Sequence, residues 1–252
     1  LILAFFLIGI VFGSFLNVVI DRLPAGQSLL RPPSHCPNCG QRLRAIDLIP
    51  LVSYLWLGGR CRYCKARIPR RIFWVELATG LIFALLWWRC GLSAELGILA
   101  VYSCVFIVIF VIDLDHTLIL NKVVYPASVF ALATVPLRSD DITITSSLIG
   151  GGIGIVLLGS VVWLVPLIIS REAMGLGDVK MAGLMGLATG FPVIFVAVFV
   201  GIVAGGLIAM GLIVLKLRGR KDYIPFGPFL AIGAMVALVW GNTIWDWYTP
   251  GT

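Results

Sequence analysis

Charge is scarce in this sequence: Asp, Glu, Lys and Arg make up 12% of 252 residues, about half the share found in ordinary soluble domains. With 60% hydrophobic residues and a mean hydropathy of +1.05, a soluble globular domain is excluded. Histidine is nearly missing too, with only His35 and His116 present. That rules out a His-Glu-x-x-His metal site and leaves little material for a nucleophilic triad. No Gly-x-Ser-x-Gly elbow occurs either. The apolar runs lack the two-residue alternation of a membrane barrel. No glycine-rich loop follows a strand, so no nucleotide cradle of that kind can be placed. Residues 1–20 have no basic segment before them and no small-residue cleavage site after them, so they are read as a membrane span and not as a signal peptide.

What the chain does have is long apolar runs. They fall near 1–20, 72–88, 96–112, 123–137, 146–169, 181–190, 192–215 and 225–245, most of them close to the roughly 17–25 residues needed to cross the hydrocarbon core. Helices are the expected spanning element, because lipid offers no partner to open backbone groups. The expectation is an all-α, polytopic membrane helical bundle of about eight spans. Its parts are a first span (1–20), an extramembrane loop module (21–71) and a bundle (72–252).

Basic residues fix the expected orientation, since they are retained on the cytoplasmic side near span ends. Segments 21–71, 113–122, 170–180 and 216–222 fall on one side of an eight-span chain and carry 17 of the 19 Lys and Arg residues; Arg89 and Arg138 are the exceptions. Both termini are then expected to be extracytoplasmic. The net charge of +7 follows from this topology, so no nucleic acid partner is expected; membrane lipid is.

The loop 21–71 holds six prolines and ten basic residues, and reads Cys36-Pro37-Asn38-Cys39-Gly40 and then Cys61-Arg62-Tyr63-Cys64, with 21 residues between Cys39 and Cys61. Paired knuckles of this spacing resemble a zinc ribbon, and four thiolates complete a tetrahedral shell, so the zinc is expected to be structural. Two disulfides are the blander alternative, which the reducing cytoplasmic side disfavours. Within the loop, Asp47 to Leu57 is apolar but too short to span; it either lies on the membrane surface or forms the small core of the module.

Acids in apolar surroundings are expensive and default to functional candidates. Asp113 and Asp115 end the third run in Val111-Ile112-Asp113-Leu114-Asp115-His116. Asp178 lies in Gly175-Leu176-Gly177-Asp178-Val179-Lys180. Two facing aspartates that share a proton can hydrolyse a peptide bond, one as base toward water and one polarising the carbonyl. The glycines before Asp178 let a backbone approach closely. The blander alternative makes Asp178 a helix N-cap. Asp115 lies on another helical face from Asp113 and is taken as supporting.

Several of these stretches resemble the bacterial type IV prepilin peptidase family, also called leader peptidase with N-methyltransferase activity. The similarity runs through Gly13 to Ile20 with Arg22-Leu23-Pro24, the Cys36 to Cys64 ribbon, Ile112 to His116, Gly175 to Lys180, and Ile224-Pro225-Phe226-Gly227-Pro228-Phe229. The resemblance implies an enzyme of the bacterial inner membrane that cleaves the basic leader from prepilins or pseudopilins at the cytoplasmic boundary. It implies Asp113 and Asp178 as the catalytic pair, with Asp115 as fallback for the first and Gly175, Gly177 and Lys180 as support. It further implies methylation of the new N-terminus with S-adenosylmethionine. Glu76 is the methyl-transfer candidate; its blander role is to pair with Arg70 or Arg71. Two other functions fit the residues: a peptidase whose zinc loop only clamps the leader, and a proton-coupled transporter using the two aspartates as a relay.

Overall fold

A computed structural model describes residues 1–138, 142–169, 175–216 and 225–249. Among these residues the regular elements are helices, and the β pairing amounts to two isolated bridges, His35 with Arg42 and Arg60 with Arg67. The α-helices are α1 (Ile2–Arg22), α2 (Val52–Trp56), α3 (Arg70–Cys90), α4 (Ala94–His116), α5 (Asn121–Thr134), α6 (Ile144–Ile169), α7 (Leu176–Thr189), α8 (Ile194–Val214) and α9 (Gly227–Tyr248). The all-α expectation holds.

Six helices among the described residues are long and apolar enough to cross a membrane: α1, α3, α4, α6, α8 and α9. The chain is a multi-pass membrane protein. Each of the eight apolar runs forms a helix, yet α5 and α7 have 14 residues each. At 1.5 Å per residue such a helix reaches about 21 Å, short of the roughly 30 Å hydrocarbon core. The count of full-length spans is therefore six where the sequence suggested about eight. The physical reason lies at the helix ends. Val135-Pro136-Leu137 turns α5 into a 3-10 segment, and α7 is bounded by Gly175 and by Gly190, whose φ of 72° stops it. Parts of two basic segments used for orientation, 170–174 and 217–222, lie outside the described residues, as does Ile224.

The chain divides into two compact units, Leu1–Leu96 and Gly97–Thr252. In the first, α1 packs on α3. Gly9 lies against Thr79 and Gly80, Gly13 against Glu76, and the Asn17 side chain against Ile72. The partner number falls as the α1 number rises, so the helices are antiparallel. A Cβ at Gly13 would lie 2.7 Å from the Glu76 Cα. Only a glycine permits this approach, the usual way of gaining dispersion contact where lipid offers no hydrophobic drive.

The loop between α1 and α3 is held by few contacts besides its cysteines. Asp47 accepts hydrogen bonds from Arg62 Nε at 2.6 Å, Arg44 N–H at 3.1 Å and the Tyr63 hydroxyl at 3.3 Å, and Arg71 pairs with Asp21. Tyr54 turns inward onto Phe73, ring centroids 5.4 Å apart. Ile46, Leu48, Ile49, Val52, Leu55 and Trp56 all remain exposed, Trp56 at 81%. An apolar ridge of that kind does not form the core of the module.

In the second unit α6 pairs with α7 and α8 with α9, again antiparallel by the descending order of their contacts. Gly150 and Gly154 of α6 meet Gly186 and Ala182 of α7 backbone to backbone. Helix α7 also packs on α5, α8 and α9. Met181, Ala182, Met185 and Ala188 are completely buried. An apolar helix with no polar face must be enclosed in this way, and α7 carries Asp178 into the interior in its first turn.

Candidate functional site

Asp113 lies near the C-terminal end of α4, one turn before the helix stops at His116, and Asp178 lies at the third position of α7. Both are buried, at 4% and 5% exposure. They come from segments 65 residues apart and lie within Coulombic range of each other. An isolated buried carboxylate is unfavourable, and two of them together are more so. Such a pair lowers its cost by holding one proton between them.

Among the described residues, backbone amides stabilise the two carboxyls. The Gly175 N–H faces the Asp178 carboxyl and the Gly227 N–H faces that of Asp113. Gly175 is the N-cap of α7 and has no side chain to offer, so Asp178 caps from three residues inside the helix. The N-cap alternative for Asp178 thus holds in modified form. Capping and burial occur at the same residue. Asp113 Oδ2 remains buried without a hydrogen-bond partner.

Ile119, in the turn between α4 and α5, lies against Gly177 and Gly227, the glycines next to the two acids. A Cβ at Gly177 would lie 3.0 Å from Ile119 Cβ, and one at Gly227 would lie 3.3 Å from Ile119 Cδ1 and 2.5 Å from Asp113 Oδ2. Gly227 is the residue that sequence reasoning missed. Its signal was the Pro225-Phe226-Gly227-Pro228 string, which carried resemblance but no assigned role. Among the other expected residues, Lys180 Nζ donates to Asn121 Oδ1 at 3.0 Å and ties α7 to α5. Asp115 is exposed.

The four cysteines form a separate centre in the first unit. Cys36, Cys39, Cys61 and Cys64 bring their Sγ atoms within 4.8 Å of one another, with Cys36 Sγ and Cys64 Sγ at 3.8 Å. A tetrahedron with metal–sulfur bonds of about 2.3 Å has sulfur–sulfur edges of about 3.8 Å, whereas a disulfide requires about 2.05 Å. All four cysteines are free. The donor set fits zinc.

Each knuckle repeats one backbone pattern. Gly40 N–H donates to Cys36 O at 2.8 Å and Lys65 N–H to Cys61 O at 3.0 Å, while Cys36 N–H and Cys61 N–H donate to Gln41 O and Ala66 O. Gly40 and Lys65 occupy the same left-handed position, φ 69° and 59°. The Ala66 amide, then the Asn38 side chain, hold the Cys64 thiol down at about 6. Cys39 beside it is pushed up to about 11, so of these two sulfurs Cys64 is the readier thiolate for a metal.

Glu76, the third expected feature, is buried on α3 in this same unit. Its Oε2 accepts the Leu51 N–H at 2.7 Å, and Ser14 also bonds to it. The expected bland partners were Arg70 or Arg71; the bond at hand is instead to a loop amide, at a residue whose φ of 60° is itself unusual. Glu76 therefore fastens the Asp47 to Leu57 segment to α3.

Comparison with known proteins follows the same division. Residues 7–90 match the bacterial peptidase A24 N-terminal domain, and residues 100–210 match the type IV leader peptidase family. A prepilin leader peptidase/N-methyltransferase of Pseudomonas aeruginosa is 34% identical over 275 residues, covering 96% of this chain and 91% of that protein. One from Aeromonas hydrophila is 32% identical, covering 96% and 92%. A third, from Dichelobacter nodosus, is 33% identical, covering 94% and 91%. No solved structure matches the chain.

Proposed function

Since the chain belongs to the type IV leader peptidase family, we propose that it removes the leader from type IV prepilins or pseudopilins with Asp113 and Asp178, and methylates the new N-terminus. The observation that carries this reading is the meeting of two buried carboxyls from distant segments beside the close glycines 177 and 227. One carboxylate takes a proton from water as its oxygen attacks the scissile carbonyl. The other carboxyl gives a hydrogen bond to the carbonyl oxygen. When the C–N bond breaks, its electron pair stays on nitrogen and takes up a proton from the pair, leaving a carboxylate and an amine. Asp115, Gly175, Gly177 and Lys180 support this arrangement.

In the same reading α5 and α7 are short crossings enclosed by protein, giving eight. The basic segments, the cysteine loop and the carboxyl pair then face the cytoplasm of a bacterial inner membrane, with both termini extracytoplasmic. A prepilin's apolar helix lies among the spans, its basic leader remains in the cytoplasm, and the depth of cleavage follows from that.

Zinc on Cys36, Cys39, Cys61 and Cys64 would fold the loop without entering the chemistry, because four thiolates leave no open position. S-Adenosylmethionine would supply an electrophilic methyl group. Glu76 is the candidate to receive the proton that the new amine would give up on accepting that group.

The test is incubation of purified protein with prepilin and methyl-labelled S-adenosylmethionine. Cleaved product carrying label on its N-terminal amine is expected. Cleavage without label would reduce the loop to a clamp, and no cleavage would remove the peptidase. A pair sharing one proton works only in its singly protonated form. Leader cleavage is thus expected to fall on both sides of an optimum, at low pH because the base is protonated and at high pH because the acid is ionised. A rate that changes in one direction only, measured under kcat/KM conditions, would speak against the shared proton.

Gly227→Ala is expected to lower kcat/KM for leader cleavage about 100-fold, since its Cβ would displace the Asp113 carboxyl and small misplacements of reacting groups cost about that much. Zinc stoichiometry, read on the same preparation, should not change.

A further inference from the structure

The first unit contains a cavity of about 610 Å³ between α1, α3 and the cysteine loop, within the roughly 300–1,000 Å³ of small-molecule sites. Its walls are mostly apolar by area, with Val18, Leu57, Ile68 and Ile72 beside the Tyr54 ring; Arg22, Arg62, Arg67 and Arg71 line it too, three of them engaged, Arg62 by Asp47, Arg71 by Asp21 and Arg22 by Ser28 O. Polar atoms gather at the α1–α3 seam. Asn17 is 5% exposed, and its Nδ2 donates to Gly13 O and Ile72 O, both at 3.2 Å. Because both neighbours are acceptors, the amide orientation is settled and Oδ1 must face elsewhere. That oxygen is buried with no partner. Glu76, four residues on from Ile72 on the same face of α3, lines the cavity as well.

The seam thus presents an amide oxygen and a carboxylate, acceptors both. A buried acceptor without a donor, as Asn17 Oδ1 is, is costly, and with the Glu76 carboxylate on the same wall it selects a cation carrying N–H groups or a sulfonium. The enclosed volume, the aromatic wall and the acceptor-lined end together describe a site for a flat ring attached to a positively charged tail. We propose that this cavity is the methyl-donor site, holding the cationic amino-acid end of S-adenosylmethionine on Asn17 Oδ1 and Glu76 and its adenosyl end against Tyr54. The inference rests on the methyltransferase part of the proposed function and adds a location to it. Cys36 and Cys61 also line the cavity, so metal and donor share a wall.

The experiment measures binding on the full-length protein in detergent, by equilibrium dialysis with labelled S-adenosylmethionine. Asn17→Ala and Glu76→Gln are each expected to weaken binding about 10- to 100-fold, the range for a lost hydrogen bond to a charged group. Zinc stoichiometry reports whether the loop is still folded. Ultraviolet crosslinking of the labelled donor to the wild-type protein gives a second measurement that needs no variant. Label in the peptides carrying Asn17 or Tyr54 is expected.

If wild type binds and methylates while folded variants bind unchanged, or if the label lies wholly within residues 97–252, the location is wrong and the methyltransferase reading stands. Wild-type protein that neither binds the donor nor methylates ends both. Methylation without label in the cavity peptides would mean that Asn17 Oδ1 is served by an ordered water only, which also overturns the proposal.

Discussion

Asp113→Asn and Asp178→Asn are each expected to lower leader cleavage about 10³- to 10⁴-fold, because an amide can neither take the proton from water nor share one with its neighbour. Both side chains are buried, and an amide of the same shape removes a charge that the interior penalises, so the folded state should tolerate the change. Loss of activity with unchanged or higher Tm is the signature. Asp115→Asn is the informative comparison. Its carboxylate is exposed, and a much smaller effect is expected. Equal loss at 115 with full activity in Asp113→Asn would transfer the first catalytic role to Asp115. Intact cleavage in all three variants would sink the aspartyl mechanism.

The second large effect concerns the metal. Structural zinc contributes about 10–16 kcal/mol to small cysteine modules at neutral pH, and the loop between α1 and α3 has little else of that size. Asp47 with its three donors, the Glu76 bond to Leu51, the Arg22 bonds to Ser28 O and Leu29 O and the pair Asp21–Arg71 are among its polar ties. An exposed pair is worth about 1 kcal/mol or less and a hydrogen bond to a charged group about 1.5–3 kcal/mol, each well below the metal's contribution. Chelation, or the double change Cys36→Ser with Cys61→Ser, is therefore expected to unfold residues 34–68 and open Arg42, Arg44, Arg60 and Arg67 to trypsin. Methylation should be lost with the fold of the loop. Leader cleavage, placed in the other unit, should survive to a much larger extent. A metal-free loop that resists trypsin as well as the metal-bound one would show that the cysteines are not what folds it.

Much of this was legible in the residues. Helical class followed from long apolar runs, and the four-cysteine centre followed from spacing, because both are local properties of the chain. Burial of Asp113 and Asp178 was legible from their apolar neighbours, although their convergence is a tertiary event. Gly227 was not legible, since its closeness to Asp113 joins segments more than 100 residues apart. The Glu76 bond to Leu51 was hidden for a related reason: charge suggested an arginine partner, whereas the fold brings a backbone amide. The runs behind α5 and α7, 123–137 and 181–190, were already short in the sequence, and Pro136 and Gly190 mark where each helix stops.

The seam between α6 and α7 bears on how genetic data for this protein will look. Gly150, Gly154 and Gly186 touch opposing backbone, leaving no room for even a methyl group, and α7 is the rod on which Asp178 is mounted. Any enlargement there must push the rod aside and tilt its acidic tip. A random-mutation screen scored only by pilus assembly would return these three glycines together with the two aspartates, and could mistake them for chemistry. Thermal unfolding would separate the groups, because a wedge in the seam loosens the bundle whereas an aspartate-to-asparagine change does not.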